Sequence, residues 1–179
     1  MKNSKIIIDP SSKYPIITLS NLLYDEIFPA ADMNKNIVFL CIGTDRSTGD
    51  SLGPLVGDKL KFLNKNNISI YGNLKFPVHA KNLNETINLI NFKSKDSFIV
   101  AIDSSLGSIQ NVGKIILEKR PLKPGSALNK NLPQIGNLSL TGIVNISGAL
   151  EFMILQNTRL FTVMTLADII SSSIYNCII

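Results

Sequence analysis

The sequence predicts an α/β protein, a single three-layer α/β/α domain built on a mostly parallel sheet. Three observations lead there. Two apolar runs, residues 37–42 and 98–102, have the length and β-branched character of buried strands. Behind the first run, Leu52, Val56, Leu60 and Leu63 return at helical spacing. Strand-like and helical segments then alternate along the chain, which is the pattern of βαβ units.

Taken in order, residues 1–36 read as an N-terminal lead-in packed on the core, and residues 37–179 as the α/β domain proper. Within the lead-in, Ser20 is expected to cap a short helix through Phe28, with Leu22, Leu23, Ile27 and Phe28 on its apolar side. The strand at 37–42 leads into a helix with Pro54 in its opening turn, where the missing N–H costs little. Residues 68–71 form a second strand, and Leu83, Ile87 and Ile90 mark a second helix. Residues 98–103 are a third strand and 112–118 a fourth. The polar stretch 120–137, with its Pro and Gly, breaks the rhythm and is expected to form a flap. Residues 138–146 lead into a helix carrying Leu150, Met153, Ile154 and Leu155. Residues 160–164 read as a last strand, and Thr165 with Asp168 as a capping box for a terminal helix. Right-handed crossovers place the first and third strands side by side, with the second outside the first. The loops after the first and third strands then share a switch point, the usual ligand edge of such sheets.

Composition narrows the function classes. With 179 residues, 45% hydrophobic and 17% charged, the chain can bury a core and is not of the disordered class. No apolar stretch reaches bilayer length; residues 161–179 come closest but are interrupted by Asp168, three serines and Asn176. Ile6-Ile7-Ile8 runs straight into Asp9-Pro10, so no signal-peptide core forms and a cytoplasmic location is expected. Cys41 and Cys177 lack CxxC spacing, and Cys41 reads as a small buried hydrophobe. The net charge of +5 comes from scattered lysines, with no Trp and 7% aromatics. A solvated positive surface accounts for it better than a nucleic-acid interface.

The chemistry-bearing residues cluster in a few loops. Gly43-Thr44-Asp45-Arg46-Ser47-Thr48-Gly49-Asp50-Ser51-Leu52-Gly53-Pro54 is glycine-rich, yet it has Asp50-Ser51 where a Walker loop needs Lys-Ser or Lys-Thr, and GxGxxG is absent. Asp50 can cap the following helix or do chemistry, and both readings stand. Asp103 ends an otherwise apolar strand at the ligand edge; its plainer role is to accept amides such as those of Ser105 and Leu106. Two carboxylates at one crevice can share a proton, leaving one acid and one base to activate water against an amide carbonyl. The same pair can instead hold a divalent metal. Arg46 either pairs with Asp45 at the surface or polarises a substrate carbonyl. His79, the only histidine, follows the second strand and can line the crevice or simply satisfy its own loop. A serine or cysteine triad fits poorly, because there is no GxSxG elbow and the only histidine has no evident partner nucleophile. Thr141 and Asn145 are expected at the pocket rim, with helix capping as the alternative for Asn145.

The Asp50 loop, Pro77-Val78-His79-Ala80-Lys81-Asn82-Leu83, Ile102-Asp103-Ser104-Ser105-Leu106-Gly107, Thr141-Gly142-Ile143-Val144-Asn145 and Asn157-Thr158-Arg159-Leu160 together resemble the YyaC family of sporulation proteins. That family is related to the germination protease of spore formers and more distantly to hydrogenase maturation proteases. The resemblance implies a phosphorylase/hydrolase-like fold and an aspartic-type peptidase dyad of Asp50 and Asp103, which match the protease's Asp-Ala-Leu-Gly-Pro and Ile-Asp-Ala motifs. Arg46, Ser51, His79, Ser104, Thr141 and Asn145 are the expected substrate-binding residues. The late segment has Thr141-Gly142 where the maturation proteases place a nickel-binding histidine, so no metal and no cofactor is expected. The expected partner is a peptide or protein substrate in the mother cell or forespore, with no nucleic acid and no membrane; assembly into a homo-oligomer is compatible with the sequence. The alternatives are a catalytically silent, partner-binding sporulation protein and a metal-dependent maturation-type endopeptidase.

Overall fold

Residues 37–41 are apolar on both sides because the strand they form is covered on both faces. In the computed structural model, which describes residues 5–64, 67–124 and 133–179, this strand, β2 (Ile37–Cys41), is wholly buried. Ile37, Phe39 and Cys41 face one core, and Val38 and Leu40 face the other. The remaining strands are β1 (Lys5–Ile8), β3 (Ile68–Tyr71), β4 (Phe98–Gly107), β5 (Ile115–Glu118) and β6 (Leu138–Ile146). They form one six-stranded sheet in the order β1-β5-β6-β4-β2-β3. The β3–β2–β4–β6 part is parallel, and β5 and β1 add an antiparallel edge.

The first and third strands of the sequence reading, β2 and β4, are neighbours, and the second, β3, lies outside β2, as the crossover rule requires. Cys41, the last residue of β2, pairs with Ile102, so the loop that carries Asp50 starts beside Asp103. Asp103 itself lies within β4, which runs on to Gly107 and does not end at residue 103 as the sequence reading had it.

Five helices flank the sheet among the described residues: α1 (Pro15–Asp32), α2 (Leu52–Leu60), α3 (Leu83–Lys93), α4 (Glu151–Gln156) and α5 (Leu160–Ile178). On one face α5 packs against both α1 and α2, around Leu19, Leu23, Val56, Leu166 and Ile170. On the other face α3 contributes Leu83 and Ile90 over Val38, Leu40 and Ala101.

Several boundaries differ from the sequence reading. The first helix starts at Pro15, so Ser20 sits buried inside it and does not cap it. Proline supplies the start because its fixed φ suits the first turn. The lead-in also contributes β1, which pairs with β5 through Lys5↔Glu118 to Ile8↔Ile115. Residues 138–146 are themselves a nine-residue strand, and the helix expected after them follows as α4. Residues 160–164 are the first turns of α5, not a strand. Val163, Leu166, Ala167, Ile170 and Ile174 are buried at helical spacing, and a period sustained over 19 residues outweighs the β-propensity of Leu-Phe-Thr-Val. Thr165 and Asp168 therefore lie within a helix: Thr165 Oγ1 donates to Phe161 O (2.9 Å), and Asp168 pairs with Lys59 of α2 (2.7 Å). By length and composition α5 could cross a membrane, but here it is a core helix. Ser173 is buried in it, with Oγ donating to Ile169 O (2.7 Å) and Ile16 O (3.2 Å) of α1.

Residues 125–132 of the expected flap lie outside the described residues. Its described ends meet as a short antiparallel bridge, Leu122 with Ile135, both buried.

Gly57 is the tightest point of the α2 packing, since a Cβ there would stand 1.7 Å from the Gly72 carbonyl oxygen. Gly57→Ala should therefore destabilise the fold by about 1–3 kcal/mol, although alanine is the better helix former. Chemical denaturation checks this; a gain in stability would contradict the packing.

Candidate functional site

The site begins with the way the chain leaves β2. Ile42 bridges Val78 on one side, and its N–H donates to Ile102 O (2.7 Å) on the other. Gly43 follows at φ 140, a backbone region open chiefly to glycine, and its N–H donates to Val78 O (2.8 Å). The loop then returns: Thr44 N–H donates to Asp50 O (2.9 Å). A Cβ on Gly43 would lie 2.1 Å from that same carbonyl. Asp50 is thus fixed by its backbone to the exit of β2.

Asp50 sits in a 3₁₀ turn, Gly49–Ser51, immediately before α2. The helix itself is preceded by Ser51, whose hydroxyl donates to Thr48 O (2.7 Å) and closes the turn. The turn packs against α4, α5 and β4.

Asp103 lies one residue beyond Ile102 on β4 and is buried, at 7% exposure. Its Oδ1 accepts the Ser104 N–H (2.8 Å); the sequence reading looked for that bond one or two residues further on. Its neighbour across β6 is Thr141. Asp103, Ser104 and Thr141 together line a cavity of about 360 Å³, with Ser105, Ser139 and Lys5. The cavity lies over β5 and β6. Glu118 and Arg120 also line it and pair with each other at 2.9 Å.

The other expected residues are spread around this edge. Arg46 is exposed, and its N–H donates to Thr44 Oγ1 (3.3 Å). His79 follows Val78, on the far side of β2 from Asp103. Its N–H donates to Asn82 Oδ1 (2.8 Å) and its Nδ1 accepts the Lys81 N–H (3.3 Å), which turns the chain into α3. Asn145 is on β6 and caps no helix. Its Nδ2 donates to Ile154 O (3.3 Å) and Thr158 Oγ1 (3.2 Å). Asp50, Arg46, Ser51, His79 and Asn145 lie outside the cavity lining; of the expected site residues Asp103, Ser104 and Thr141 are within it. Thr158, buried and bonded to Asn145, escaped the sequence reading as a single residue because a lone threonine after a helix carries no signal of its own.

No three His, Cys, Asp or Glu side chains converge among the described residues, and the β6 position facing Asp103 is a threonine.

With that geometry in place, the relationships can be stated. The family described as "Protein of unknown function (DUF1256)" matches residues 8–173, and the chain belongs to it. Over 140 residues the chain is 49% identical to "Uncharacterized protein YyaC" of Bacillus subtilis (strain 168), covering 78% of this chain and 68% of that protein. The resemblance to YyaC read from the motifs is therefore borne out. The fold is similar to the crystal structure of the NiFe hydrogenase maturation protease HycI from Thermococcus kodakarensis KOD1. The TM-score is 0.52 at 16% identity, over 86% of this chain and 99% of that one. At that identity the likeness is one of fold.

Neither thiol lines the cavity. Burial pushes the Cys41 thiol far above its ordinary range and raises that of Cys177 from 9.0 to about 11. Between those two values the folded state holds the Cys177 proton that the unfolded state has lost, so this group's contribution to stability falls as pH rises through that window. Alkylation followed by mass spectrometry should show Cys177 labelling rise towards pH 11, and Cys41 labelled only on unfolding. Rapid labelling of Cys41 in the folded protein near neutral pH would contradict its burial.

Proposed function

We propose that this chain is a peptidase in which Asp50 and Asp103 jointly activate water for attack on a peptide carbonyl. The observation that supports the reading is that β2 ends beside Ile102, next to Asp103 of β4, and that the loop it feeds is pinned at Asp50, by the Asp50 carbonyl to Thr44, in a turn that packs against β4. Asp103 lines the cavity, while Asp50 lies outside its lining, in the Gly49–Ser51 turn that packs against β4. In this reading the ionised partner takes a proton from water while the protonated one hydrogen-bonds the carbonyl oxygen as charge develops there. The shared proton then passes to the leaving amine.

Ser104 and Thr141 line the cavity beside Asp103 and offer hydroxyls to the substrate backbone. The fold shared with a maturation protease and the motif match to the germination protease both favour peptide hydrolysis. The resemblance to a sporulation family, read from the motifs, favours a spore or sporulation protein as substrate, in the cytoplasm of the mother cell or forespore. A silent, partner-binding protein is the competing reading, favoured by the Ser104 N–H that already occupies one Asp103 oxygen.

The test is incubation of the purified protein with an extract of spore proteins, followed by mapping of new peptide termini. Asp50→Asn and Asp103→Asn should each lower cleavage by at least about a hundredfold. Activity that survives both substitutions would remove the dyad; no cleavage by the parent protein, together with retention of an extract protein on it, would favour the binding reading.

A further inference from the structure

The Gly49–Ser51 turn is held from a second side, away from the β2 exit. A Cβ on Gly49 would stand 2.8 Å from both Thr158 Oγ1 and the Leu155 Cδ2 atom, so the turn rests directly on the end of α4. Six residues are too few for α4 to be stable alone. Its entry residue, Leu150, is moreover in the left-handed region at φ 61, which leucine disfavours. Tertiary contacts must therefore hold it.

The polar contacts that do so converge on β6. Thr158 is buried, and its Oγ1 donates to Ile154 O (2.8 Å) while accepting from Asn145 Nδ2 (3.2 Å). The same amide also reaches Ile154 O (3.3 Å), and Asn145 Oδ1 accepts the Ile146 N–H (2.8 Å). Asn145 pairs with Leu106 on the strand that carries Asp103. A continuous path of contact thus runs from β4 through β6, Asn145 and Thr158 to the turn that bears Asp50.

We infer that Asn145 and Thr158 are positioning residues that set the Asp50 turn relative to Asp103, an inference that rests on reading the two aspartates as a dyad. Asn145 then serves the site without touching substrate, which explains why it lies outside the cavity. Removing the Thr158 hydroxyl leaves the Asn145 amide only its 3.3 Å bond to Ile154 O and takes away the bond that ties the residue beneath Gly49 to β6.

Two measurements test it on Thr158→Val, Asn145→Ala and Thr158→Ser, all in the full chain. Amide hydrogen exchange at Asp50 and Ser51, which donate to Ser47 O and Thr48 O, reads the hold on the turn. Carboxyl titration followed by NMR, with Asp50→Asn and Asp103→Asn as references, reads the coupling of the pair. Exchange at Asp50 and Ser51 should rise about tenfold in Thr158→Val and Asn145→Ala, with β5 amides unchanged. Thr158→Ser, which keeps the hydroxyl, should stay near the parent. The gap between the two carboxyl titrations should narrow with the loss of the hydroxyl. Unchanged exchange at the turn in Thr158→Val would overturn the inference, as would a uniform rise that includes β5. Independent carboxyl titrations in the parent would instead sink the dyad reading, while the exchange rates still decide the hold on the turn.

Discussion

The contact on which the rest depends is the approach of α2 to the end of β2, backbone against backbone. A Cβ on Gly53 would lie 2.0 Å from the Ile42 carbonyl oxygen, and one on Gly57 closer still to Gly72. No side chain fits between these segments, so the helix meets the strand at a distance only glycine permits. Once α2 is seated there, its first residue, Leu52, reaches β6, where a Cβ on Gly142 would be 2.5 Å from the leucine Cδ2 atom. The helix start is thereby fixed against two strands at once. The Gly49–Ser51 turn, being joined to that start, has little freedom left, and Asp50 inherits its place.

Asp103 reaches the same edge by a different route. It ends a run of completely buried residues, Val100 to Ile102, and is itself nearly buried. A carboxylate in that position needs compensation, because burial disfavours its charged form. The Ser104 N–H supplies part of it. Asp50 is only half-buried and rides on a turn. The two aspartates thus occupy unlike surroundings at one edge, which is the condition under which carboxyl groups divide the roles of acid and base.

How much of this the sequence disclosed follows from the range of each signal. The β2, β3 and β4 starts, the α2 periodicity and the order β4-β2-β3 rest on local apolar pattern and crossover handedness, and all are found in the structure. The errors cluster where local and global signals disagree. Leu160 to Met164 has strand-like composition, but its burial period belongs to a helix whose length shows only over the following residues. Residues 138–146 read only as the lead into a helix, yet β6 is a central strand, and Gly142 is there because Leu52 and Leu166 leave no room for a side chain. That the Asp50 loop starts beside Asp103 was legible because it follows β2, the neighbour of β4. That β4 runs four residues beyond Asp103 was not, because Ser104 and Ser105 carry no apolar strand signal. The Asn145–Thr158 link was not, because it joins a strand to a residue thirteen positions later by contact alone.

The two faces of the sheet divide the work of stability and chemistry. One face carries α1, α2 and α5, which enclose most of the buried side chains, including the apolar side of α5. The other carries α3, whose buried residues cover β2 and the neighbouring part of β4. Over β5 and β6 that face offers Ser139, Thr141 and Glu118 in place of aliphatic side chains, and the cavity beside Asp103 opens there. Hydroxyls at those positions cost packing energy that Leu or Ile would supply. A sheet stabilised from both faces has no physical need of them. One secured mainly by a three-helix layer can tolerate a polar, open patch, and such a patch next to a nearly buried carboxylate is where an extended polar chain can be bound and its carbonyls reached.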